Sequence, residues 1–198
     1  CPPLMEILLE AGARDVWFVV ALPVYLASSL GWDNGYVGSF LALWIIAYGV
    51  VQTQAPRFTG KREGRVPDGK VAMGWALVLA LTPALIALAL HFDLHPAISL
   101  VGGLMVFGAL FAINSSLHSY LIVSYAGADG VSLDVGFYYM ANALGRLLGT
   151  LLSGLVFQLH GLEACLWLST LFILLAALFS LGLPRHQPPV SSHSHGVS

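Results

Sequence analysis

From residue 94 to residue 128 the chain contains no Asp, Glu, Lys or Arg. A helix in water needs a charged or polar face along its length, so a run of this kind requires an apolar solvent on several sides. The property belongs to the whole chain. Over its 198 residues, 58% are hydrophobic, only 9% are charged and the mean hydropathy is +0.82, which places it outside soluble domains. The formal net charge of -2 favours no nucleic-acid surface. Cys1 and Cys165 are too few and too distant for a disulfide framework or a zinc site.

A membrane-crossing helix takes roughly 20 apolar residues. Gly, Pro and charge clusters divide the chain into six such segments, at about 12–30, 36–55, 72–90, 97–125, 135–159 and 164–183. Membrane β-strands would instead alternate with period two in segments of roughly 10 residues, and no such pattern is present. The expected fold class is therefore an all-α membrane protein with one six-helix transmembrane unit over residues 1–183. The expected tail, 184–198, holds His186, His193 and His195 without Cys or carboxylate partners, and reads as disordered rather than metal-binding. No cofactor is expected. No signal peptide is seen, and a start at Cys1-Pro2-Pro3 without Met leads us to expect a piece of a longer chain.

Orientation follows from the cations. Arg57, Lys61, Arg62, Arg65 and Lys70 all fall between the second and third segments, and the turns after the first, third and fifth segments hold none. Short cytoplasmic loops collect Lys and Arg, so both ends of the chain and this basic loop are expected inside the cell. Trp32 and Trp75 suit the interfacial aromatic belt or lipid-facing packing equally.

Arg146 lies near the middle of the fifth segment, where a charge costs roughly 2.5–3.5 kcal/mol on insertion scales, so it is expected to face the bundle interior. Steps of three or four residues place Tyr139, Asn142, Arg146, Thr150 and Ser153 on one stripe. The planar guanidinium suits a carboxylate, phosphate or related oxyanion. The competing reading is an interhelical salt bridge that only fixes packing. Gly145, Gly149 and Ser153 form a row of small residues that lets a neighbouring backbone approach. Asn114 and His118 lie four apart on the fourth segment. His118 suits a proton relay or an anion donor, or simply a bond to a neighbouring helix. On the first segment, Arg14 is a second anion candidate or the partner of Asp15 and Glu10, Tyr25 shares a face with Phe18 and Ala21, and Pro23 is expected to kink the helix.

Three blocks carry a family resemblance: GARDVWFVVALPVYL at 12–26, NSSLHSYLIVSYA at 114–126, and DGVSLDVGFYYMANALGRLLGT at 129–150. They resemble the organoarsenical efflux permeases (ArsJ family) of the major facilitator superfamily. The segment Gly60-Lys61-Arg62-Glu63-Gly64-Arg65 resembles that superfamily's loop signature, with Lys61 in place of its aspartate. The resemblance implies one half, the C-terminal one, of a transporter of about twelve spans, with an N-terminal six-helix half as its partner in the same polypeptide. It implies residence in the lipid bilayer of the cell inner membrane and no enzymatic activity. It also implies export of 1-arseno-3-phosphoglycerate, an anion made from arsenate by glyceraldehyde-3-phosphate dehydrogenase, with Arg146, Arg14, Asn142, Tyr139, His118, Asn114 and Tyr25 as candidate substrate contacts. One departure is the run Leu4–Glu10, where Glu6 and Glu10 interrupt the inner end of the first span.

Two other functions compete. A major facilitator exporter of another organic anion or a drug would show the same polar stripes. A six-helix intramembrane serine protease would need a Gly-x-Ser-x-Gly context that Asn114-Ser115-Ser116-Leu117-His118 lacks, and Ser115 and His118 share one helix.

Overall fold

The computed structural model describes the backbone of residues 2–58, 69–125 and 131–180, and side chains within 4–54, 73–117 and 135–180. The basic loop, the tail 184–198 and the side chain of His118 lie outside the described residues. Six helical elements follow one another: α1 (Pro2–Phe18), α2 (Ala21–Ser28), α3 (Asn34–Phe58), α4 (Gly69–His91), α5 (Pro96–Tyr125) and α6 (Val131–Ser180). Among the described residues, four stretches are long and apolar enough to cross a membrane: Asn34–Gln54, Met73–His91, Pro96–Leu117 and Val135–Ser180.

Prolines and glycines set the punctuation. Pro23 has no N–H for the carbonyl of Val19, four residues back. The helix accordingly breaks between α1 and α2, and the Ala21 N–H finds the Ser153 hydroxyl oxygen instead, at 3.0 Å. Pro83 frees the carbonyl of Leu79 in the same way, but there the Thr82 hydroxyl donates to it at 2.7 Å and α4 continues. Gly31 (φ 68) reverses the chain after α2, and Asp33 accepts the Gly35 N–H at 2.8 Å to cap α3.

Gly161 (φ 78, ψ -173) leaves helical space inside α6. Twelve residues of continuous helix would span about 18 Å, yet the Cys165 thiol lies 3.9 Å from the carbonyl of Ser153. The chain therefore doubles back, and α6 is two antiparallel limbs, 131–160 and 162–180.

These limbs flank α1. On one side a Cβ added at Gly149 would meet Gly12 O at 2.7 Å, so the backbones of α1 and the first limb approach without side chains between them. On the other, Ser169 donates to the carbonyl of Ala13 at 2.6 Å, and Ser180 donates to the carboxylate of Glu6. The run in which Glu6 and Glu10 interrupt the apolar pattern belongs to α1. Residues 4–10 are helical, and both acids are buried, at 2% and 6% exposure. They are tolerated because neighbouring helices supply hydrogen bonds in place of water.

The rest of the bundle packs through an aromatic seam. Trp17 meets Phe107 edge-on at 5.2 Å, Phe18 tilts against Trp44 at 4.5 Å, and the Trp44 indole donates to the carbonyl of Leu104 at 2.9 Å. Outward positions such as Leu43, Ile46, Leu81, Leu85, Leu151 and Leu155 stay exposed, as a lipid-facing surface requires. In α3 only 11% of the apolar stretch is buried, so most of that helix faces outside this bundle.

Candidate functional site

Charged and polar groups converge on one pocket of about 70 Å³. α1 contributes Glu10 and Arg14, one helical turn apart, with Ile7 and Ala11 beside them. α5 contributes Phe111 and Ser115 at the same spacing. α6 contributes Tyr138, Asn142 and Arg146, three residues at steps of four, and α3 closes the wall with Tyr48.

Behind the wall sits Asp15, whose side chain is 1% exposed. Its Oδ1 accepts from Arg14 Nε at 2.6 Å and its Oδ2 from Arg146 Nε at 3.2 Å. The Arg14 guanidinium also lies 5.6 Å from the centre of the Phe111 ring, a cation–π contact that holds its plane. One carboxylate thus anchors a cation from its own helix and one 131 residues away on α6. Glu10, in the same pocket, accepts from the side-chain amide of Asn114. In formal charge, the two arginines are matched by the two acids Glu10 and Asp15.

The structure brings some of the expected residues together and separates others. Arg146, Arg14 and Asn142 line the pocket. Asn114 is buried behind it, against Glu10. Tyr139 is 66% exposed and points away, and its neighbour Tyr138 takes the place on the wall. Tyr25 packs half-buried against the core and does not line the pocket. Of the lower stripe, Thr150 bonds back to the carbonyl of Arg146, and Ser153 is used at the break before α2. Glu10, Tyr48, Phe111, Ser115 and Tyr138 are pocket residues that the sequence reading did not put forward; steps of four from Arg14 and Arg146 reach Glu10 and Tyr138. Each arginine makes an ion pair with Asp15, and each also lines the pocket. Among the described residues, no group of three or more His, Cys, Asp or Glu side chains is placed to hold a metal ion.

Long apolar helices around a charged internal pocket define a multi-pass membrane protein whose polar groups are spent inside the bundle. The chain belongs to the Major Facilitator Superfamily, whose sequence model matches residues 8–197. Members of that family are transporters rather than enzymes, and the chain is accordingly that of a membrane transporter. No curated protein matches it.

Proposed function

We propose that this chain is one six-crossing half of an exporter for a small organic anion, 1-arseno-3-phosphoglycerate, and that the pocket around Arg14 and Arg146 is the part of the binding site this half supplies. The observation that carries the reading is the pair of guanidinium groups on the wall of a pocket inside an apolar bundle. A cation kept there serves an anion with far less competition from water than at a surface. The resemblance blocks support the substrate. Arg14 comes from the first, Ser115 from the second, and Tyr138, Asn142 and Arg146 from the third, so these blocks converge on one site.

In this reading α1 and α2 together make one crossing and the two limbs of α6 make two, giving six with α3, α4 and α5. Both ends and the basic loop face the cytoplasm across the inner membrane. A second six-helix half of the same polypeptide supplies the opposite wall, and the rocking of one half against the other exposes the site to each side in turn. The pocket volume of about 70 Å³ suits one wall of such a cavity rather than a complete site for a phosphoglycerate.

The test is transport into everted membrane vesicles containing the complete polypeptide, with the dehydrogenase, glyceraldehyde 3-phosphate, NAD+ and arsenate supplied outside. Uptake of the arsenylated phosphoglycerate, lost in Arg146→Ala and poorly restored by Arg146→Lys, is the expected result. Uptake of other organic anions with no competition from this one would assign the chain to a different exporter, and uptake unaffected by Arg146→Ala would leave the ion pair with Asp15 as a packing feature alone.

A further inference from the structure

We propose that Asp15 is a positioning residue that turns Arg14 and Arg146 into a tandem selective for a tetrahedral oxyanion over a carboxylate. The inference rests on the reading of this pocket as an anion site. Its basis is which nitrogen each arginine uses. Asp15 takes Arg14 through Nε at 2.6 Å and Arg146 through Nε at 3.2 Å, one on each carboxylate oxygen. Among the described residues, neither guanidinium makes another hydrogen bond.

An arginine held at Nε is fixed in plane and direction while its two terminal amino groups stay available as a fork. The two oxygens of a single carboxylate carry the two arginines, so both forks are tied to one point behind the pocket wall. Phe111 holds the face of one. The side chain of Arg146 remains 57% exposed toward the open side of the pocket, whereas Asp15 is 1% exposed. The anchor is therefore sealed and the donors are not. A carboxylate ligand has two oxygens in one plane, so it meets both forks only where they share that plane. A phosphate or arsenate end has three terminal oxygens spread over a tetrahedron, and accepts from both forks at once. Asp15 is also negative, so its contribution is one of geometry: it repels an anion weakly while aligning the groups that bind it.

The experiment is equilibrium binding to the detergent-solubilised complete transporter, with glycerol 3-phosphate and glycerate as probes that share a carbon skeleton and differ in the anionic group. Wild type is expected to prefer glycerol 3-phosphate. Asp15→Asn keeps the shape of the side chain and one acceptor but can no longer anchor both forks, and should cut the preference by about tenfold or more. Arg146→Lys keeps the charge at an exposed position and should do the same, because a single ammonium cannot both pair with Asp15 and offer a fork. If Asp15→Asn does not fold, Arg146→Lys decides.

A purely structural role for Asp15 would weaken both probes together and leave their ratio intact. A ratio that survives Arg146→Lys, or survives in folded Asp15→Asn, overturns the proposal while leaving the anion site standing. If instead Arg14→Gln and Arg146→Gln weaken neither probe, the anion site itself fails and the positioning role fails with it.

Discussion

A backbone contact between α1 and the first limb of α6 can be opened with one methyl group. A Cβ at Gly149 would meet Gly12 O at 2.7 Å, Gly12 Cα at 2.9 Å and Asp15 Cβ at 3.1 Å. Two of these three atoms are backbone, so no rotamer change relieves them. Restoring ordinary contact requires the helices to part by about 0.7 Å, which costs about 1–3 kcal/mol as overpacking. The same displacement carries the 3.2 Å contact between Arg146 and Asp15 beyond hydrogen-bond reach. Alanine also gains about 1 kcal/mol over glycine inside a helix, and Gly154→Ala on the same limb isolates that gain, because a Cβ there meets nothing within 4 Å. Equilibrium unfolding in mixed micelles should find Gly149→Ala less stable than Gly154→Ala by about 1–3 kcal/mol, and its anion binding should weaken as well. Equal stability of the two variants would refute the close packing of α1 on α6, and with it the geometry that brings Asp15 to Arg146.

Other outcomes follow from single contacts. Ser153→Ala removes the acceptor of the buried Ala21 N–H and should cost about 1–2 kcal/mol in the same unfolding assay; no loss would mean that the break before α2 is held by something else. Glu10→Gln keeps an oxygen for Asn114 while removing a negative charge from the pocket wall, so anion affinity should rise about fivefold to tenfold, and a fall would show that the carboxylate serves the ligand directly. In the full polypeptide, Gly64→Cys should react with an impermeant thiol reagent only after permeabilisation, and Asp93→Cys from outside the cell; the reverse pattern would invert the orientation.

The helices α3, α4 and α5 were legible because their signal is local. Each is an apolar run bounded by Pro, Gly or charge, and each expected segment differs from the observed helix by only a few residues at its ends. Half of the site was legible for an equally simple reason: a charge inside such a run has to face inward, which picks out Arg14 and Arg146. The stripe beside Arg146 was harder. Steps of three and of four both stay near one face of a helix, so sequence alone could not choose Tyr139 over Tyr138, and the structure chooses Tyr138. Asp15 as a shared anchor could not be read at all, because its second partner is 131 residues away. Tyr48 was hidden for a different reason, being one aromatic among several in an apolar stretch, Asn34–Gln54, that has no charge to mark its inner face.

Residues 4–10 show what hydropathy omits. A scale of transfer energies charges Glu6, Glu10, Arg14 and Asp15 as though each met lipid, and α1, at 17 residues, is not among the stretches long and apolar enough to cross a membrane. Yet α1 has protein on both sides. The limbs of α6 enclose it, Ser180 and Asn114 meet its two glutamates, and Arg146 meets its aspartate. A helix in that position can carry charge that an outer helix cannot, provided that each group finds a partner. The small residues Gly145, Gly149 and Ser153 then have one role with two effects: they draw α6 close enough to shield the charges of α1 from lipid, and in doing so they bring Arg146 to Asp15 at the edge of the pocket. The packing that makes α1 tolerable in a membrane is the packing that assembles the site.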